Sequence, residues 1–136
     1  MDCDLPSPEC AAFLVCREIL DDQKFGDSVL VGQAKSYQAQ FFPAAVPVGF
    51  FVRLTAARGE YIVEVQLRDE EGEVVWRDRK PTPWNLPNPL ELYDLKLRLC
   101  PVFPKPGPYA FVVTVNGKDV GRQRFEVLLA SQKAKA

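Results

Sequence analysis

The 136 residues predict an all-β protein, an antiparallel β-sandwich of immunoglobulin-like topology with about seven to nine strands. Three observations lead there. Apolar residues recur with a period of two through most of the chain, as they do in strands with one buried face. Tight-turn residues separate these runs at short intervals. Twelve prolines gather between the runs and break the chain where hydrogen-bonded ladders would otherwise continue.

In order, residues 1–10 hold two prolines, three acids and little apolar content, and read as a loose leader ahead of one domain over 11–130. Ala11 to Leu20 reads as a strand buried on both faces, with a short helix as the competing form. Val29-Leu30-Val31-Gly32 starts a second strand that runs weakly towards Gln40. Phe50, Val52, Leu54 and Ala56 alternate with Arg53 and Thr55; Tyr61, Val63, Val65 and Leu67 continue the pattern after Gly59. The turn Glu70-Glu71-Gly72-Glu73 leads into Val74-Val75-Trp76-Arg77. Leu95, Leu97 and Leu99 alternate with Lys96 and Arg98. Tyr109, Phe111, Val113 and Val115 are joined to Phe125, Val127 and Leu129 by Asn116-Gly117, the strongest hairpin signal in the chain, because both residues tolerate positive φ. Pro81 to Pro89 and Pro101 to Pro108 read as breaks that carry the chain between sheets, and residues 131–136 read as a disordered tail. Tyr109, two residues after Gly107, suits either of two roles: a hydroxyl turned back onto upstream backbone, as in immunoglobulin-like sandwiches, or an ordinary aromatic at the core edge.

Composition excludes several chemistries. No histidine is present, which removes Ser-His-Asp and Cys-His catalysis, imidazole metal ligation and a histidine pH switch. Cys3, Cys10, Cys16 and Cys100 lack the paired spacing of a zinc site, so no metal is expected. Cys16 and Cys100 read as buried free thiols, Cys3 and Cys10 as exposed ones. The acids Asp69, Glu70, Glu71 and Glu73 lack the stagger of a calcium loop and read as a solvated turn. The glycines are scattered singly and form no phosphate cradle, so no cofactor and no enzymatic activity are expected. A net charge of −1 gives no bulk field for nucleic acid or an anionic membrane. Acids at Asp78, Asp119 and Glu126 interrupt the basic residues at Arg77, Arg79, Lys80, Arg122 and Arg124. Without a cationic and apolar leader or a spanning apolar run, a cytoplasmic location is expected.

Several features in order carry a resemblance. They are Cys16-Arg17-Glu18, Val29 to Gly32, Phe42-Pro43-Ala44, Gly59-Glu60, Leu67 to Gly72, and Pro106-Gly107-Pro108-Tyr109 through Asn116-Gly117. Over residues 11–129 the chain resembles a bacterial family of small cytoplasmic proteins of unknown function, expected to be β-sandwiches. Gln33-Ala34-Lys35-Ser36 departs from that pattern. The resemblance implies a fold and a bacterial source and transfers no catalytic residue.

The function expected from these features is a non-catalytic binding or assembly module. It acts through loops at one end of the sandwich or through an edge strand, on an unidentified protein partner or a second copy of itself. The contact residues expected are Trp84, Leu86 and Phe103, with Arg77 and Arg79 as a polar rim. Trp84 has a competing role as a plug for the end of the sandwich. The alternative function is a small-ligand binder or enzyme with a pocket between the sheets. It fails if Phe50, Leu54, Val63, Leu97 and Phe111 fill the interior.

Overall fold

A computed structural model describes residues 7–21 and 28–130. The cysteine at position 3 and the 131–136 tail lie outside the described residues. Twelve strands form: β1 Glu9–Asp21, β2 Ser28–Gln33, β3 Ser36–Ala39, β4 Ala44–Ala45, β5 Val48–Thr55, β6 Gly59–Arg68, β7 Val74–Arg77, β8 Thr82–Leu86, β9 Tyr93–Leu99, β10 Val102–Phe103, β11 Gly107–Val115 and β12 Lys118–Leu129. The excess over the expected number comes from β3, β4, β8 and β10, none longer than five residues.

Four strands make a small sheet in the order β2-β1-β5-β9, and a large sheet runs β3-β12-β11-β6-β7 with β8 also paired to β6. Among the described strands every pairing is antiparallel except β12 with β3, which is parallel. The segment from Ala11 is a strand and not a helix, and its pairing with β5 begins at Glu9, so the loose leader is shorter than expected. The second strand does not run on to Gln40. After Gln33 the chain leaves the small sheet, and Ser36–Ala39 lies along the large one.

Alternation sets the interior. Phe13 and Val15 of β1, Phe50, Val52 and Leu54 of β5, and Leu95 and Leu97 of β9 face one way. Tyr61, Val63, Val65 and Leu67 of β6, Phe111, Val113 and Val115 of β11, and Phe125 and Val127 of β12 face them from the large sheet. Phe50 meets Phe111 edge-on with ring centroids 4.8 Å apart, and Phe13 stacks on Phe50. Phe103 lies against Tyr109, Phe111 and Phe125. Such ring pairs add about 0.5–1.5 kcal/mol each beyond the area they bury.

The turns follow the residues that make them. Asn116 and Gly117 both take positive φ, 49° and 83°, and close the β11–β12 hairpin. The Asp69 carboxylate accepts hydrogen bonds from the Glu71 and Glu73 amides and holds the β6–β7 turn. The Tyr109 hydroxyl donates to the Lys105 carbonyl four residues upstream, which selects the first of its two expected roles while leaving its ring in the core. Burial holds its pKa above the ordinary tyrosine value.

Gly121 of β12 lies packed between its sheet neighbour β11 and strand β1 of the small sheet. A Cβ there would sit 2.9 Å from Val113 Cγ1, 3.0 Å from Cys10 Sγ and 3.4 Å from Phe13 Cβ. Overpacking of this kind costs about 1–3 kcal/mol. Gly121→Ala should lower the unfolding free energy by that amount in urea titration; an unchanged midpoint would show that Val113 and β1 both yield freely at this point.

Candidate functional site

The expected contact residues are resolved by strand alternation. Tyr61 pairs with Trp84 and Gly59 with Leu86, so Trp84 and Leu86 take the inward-facing register of β6. Leu86 is buried, Phe103 is fully buried among three aromatic rings, and the half-buried Trp84 packs against the core. Leu86 and Phe103 are therefore core residues and not contacts. Trp84 packs against the core from the edge strand, with its indole Nε1 buried and without an acceptor. The stretch expected to be a loop is strand β8, which tolerates Pro83 because it lies at the edge of the sheet. Arg77 ends β7 and Arg79 follows in the turn; both are exposed.

Cys10, Cys16 and Cys100 are free thiols. Cys16 is buried beside the Gly49 carbonyl, and burial raises its pKa. Cys10 is half-buried in β1 and not exposed as expected, because pairing with Leu54 draws it into the sheet; burial raises its pKa too. Cys100 is exposed, against expectation, because it lies just past the end of β9. Among the described residues no three Cys, Asp or Glu side chains converge to hold a metal ion. No described helix is long and apolar enough to cross a membrane.

Two surfaces remain. The first is the edge of the small sheet at β2. The segment Ser28 to Gln33 carries neither charge nor proline, and its outer side has no partner strand among the described residues. Leu20 and Val29 pair across β1 and β2 and stay 45% and 44% exposed. The opposite edge, β9, carries Asp94, Lys96 and Arg98. Asp94 there receives Arg53 through two hydrogen bonds.

The second surface is the outer face of the large sheet. Cross-strand register lays it out in rows: Arg68, Ala110 and Arg124; then Arg77, Gln66, Val112 and Arg122; then Glu64, Thr114 and Asp119. Arg68 reaches diagonally over the middle row and donates two 2.8 Å hydrogen bonds to Asp119. It also donates to Gln66, which donates to Glu64. Beneath this strap Ala110, Val112 and Thr114 are buried although they face outward. Arg77, Arg122 and Arg124 make no side-chain hydrogen bond or ion pair with the described residues. A hollow of about 390 Å³ is lined by Asp69, Glu70, Pro108, Tyr109, Ala110, Arg122 and Arg124. Another of about 350 Å³, across Arg124, adds Lys35, Gln123 and Glu126. In the sequence the basic residues form separate runs; only the register places Arg77 level with Arg122.

The comparison that decides the family is a match of residues 11–128 to the model of DUF6941, a family of unknown function. The chain belongs to the DUF6941 family. No curated protein matches it. Among solved structures it is similar to the alkylpurine DNA glycosylase AlkC of Pseudomonas fluorescens bound to DNA containing an abasic site analog, at 12% identity and a TM-score of 0.47. That match covers 85% of this chain and 30% of the glycosylase chain, so the DUF6941 protein spans less than a third of that structure.

Two outcomes test these placements. Trp84→Ala should cost on the order of 3 kcal/mol of stability, while Arg79→Ala stays within about 0.5 kcal/mol, both read by urea unfolding. Equal, small effects would return Trp84 to the surface. The Arg68 guanidinium holds the Asp119 carboxyl below the usual aspartate pKa of 3.8. A depressed folded pKa contributes stability above the unfolded value and loses it as pH falls through the folded one. The stability gap between wild type and Asp119→Asn should therefore be full at neutral pH and close as the solution is acidified below 3.8. A gap that persists in strong acid would count against the ion pair.

Proposed function

We propose that this DUF6941 chain is a non-catalytic assembly module that receives a β-strand along the free edge of β2, the partner being a second copy of the chain. The observation that carries the reading is the contrast between edges. Proteins protect exposed edges with charge, proline or brevity, because unpaired N–H and C=O groups otherwise template another strand. Such protection is visible at β9 in its three charged residues, at β8 in Pro83, at β7 in Arg77 and at β3 in its four-residue length. The edge at β2 has no charged residue or proline of its own and adds the apolar pair Leu20 and Val29; the Arg17 guanidinium of β1 lies over its Gly32 end.

A two-fold axis through Leu30 sets Val29 of one copy opposite Val31 of the other and joins the small sheets of both copies. The same reading takes the sandwich as immunoglobulin-like, supported by the Tyr109 hydroxyl turned back on Lys105. It places the protein in the bacterial cytoplasm that the family resemblance implies. A ligand pocket between the sheets has less support, since Phe50, Leu54, Val63, Leu97 and Phe111 are all buried in one packed cluster.

Sedimentation equilibrium over a concentration series tests the proposal. Wild type should show a monomer–dimer equilibrium, and Val29→Lys with Val31→Lys should be monomeric at an unchanged thermal midpoint. A wild type that is monomeric throughout, or a double variant that dimerises as wild type does, would overturn it.

A further inference from the structure

The arginine face belongs to the other sheet from β2 and stands or falls independently of the edge. Arg122 and Arg124 are two residues apart on β12 and take the same outward register, so their side chains start about 6–7 Å apart. Both line the 390 Å³ hollow beside Pro108 and Ala110. Neither has a hydrogen-bonded acid among the described residues. Arg122 lies within electrostatic reach of Asp119, but both oxygens of that carboxylate already accept from Arg68. Two planar guanidinium forks at this spacing suit a carboxylate, which accepts paired N–H bonds.

The rest of the lining narrows the class of partner. Asp69 and Glu70 stand on the same hollow, Glu126 on the neighbouring one. A nucleic-acid backbone presents a continuous run of negative charge, and these acids oppose it. A protein segment can instead place one acid on the arginines and a base towards Asp69 and Glu70. We propose that Arg122 and Arg124 clamp an acidic side chain of an extended protein segment, which crosses Pro108 and Ala110 and directs a basic residue to Asp69 and Glu70.

The experiment is an NMR titration at low salt with three probes. They are a capped peptide carrying one glutamate and one lysine in an alanine–glycine background, the same peptide with glutamine for glutamate, and an oligodeoxythymidylate. The glutamate peptide should give saturable shifts at the Arg122, Arg124 and Ala110 amides and at the arginine side-chain N–H groups. Binding should weaken about tenfold with the glutamine peptide and in the Arg122→Gln, Arg124→Gln double variant, whose thermal midpoint should match wild type. Rescue by lysine at both positions should be partial, because a point charge lacks the paired donors. No shifts, equal binding of both peptides, undiminished binding by the variant, or tighter binding of the oligonucleotide would each overturn the proposal.

Discussion

The interlock of Phe50 with Phe111 is the contact on which the rest of the molecule depends. One ring comes from the small sheet and the other from the large, and they meet edge-on at 4.8 Å. Phe13 extends the contact on one side, and Phe125 and Phe103 extend it on the other. A core filled this way fixes which face of every strand points inward, because a slip of one residue would send each ring to solvent. The same packing draws the large side chains of both sheets into one buried cluster.

The inward face was legible in the sequence because strand alternation is a local property. Tyr61 to Leu67, Tyr109 to Val115 and Phe125 to Val127 all point where period two puts them. The Asn116-Gly117 hairpin was legible because it depends only on two adjacent residues with positive φ. Prolines marked both 81–89 and 101–108 as breaks, but an edge strand leaves proline's missing donor without cost, so Thr82–Leu86 pairs with β6 all the same, and Val102–Phe103 and the start of β11 fall inside the second stretch. Leu86 and Trp84 turned inward with that strand. Phe103 turned inward because a two-residue bridge, Val102–Phe103 with Ala44–Ala45, holds its segment against the core.

The arginine face and the β2 edge were not legible, and the reason is the same for both. Each is a property of which strands are neighbours. Arg77 and Arg122 are far apart in sequence, and nothing local says that Gln66 and Val112 stand between them in one row. The family match fixes kinship for residues 11–128.

The departure of the chain from β2 into β3 has a consequence for how these surfaces relate. Only Ala34 and Lys35 separate the last residue of the small-sheet edge from the first residue beside β12. Ala34 is tied by its amide to Val15 in one layer, and the Lys35 carbonyl accepts from Glu126 in the other. This two-residue tether spans the layers, so β2 is joined covalently to β3, and through the β3 ladder by hydrogen bonds to β12, the strand that carries Arg122 and Arg124. If both proposed surfaces bind, any influence passed along it runs equally in both directions, since linkage between two binding equilibria is reciprocal.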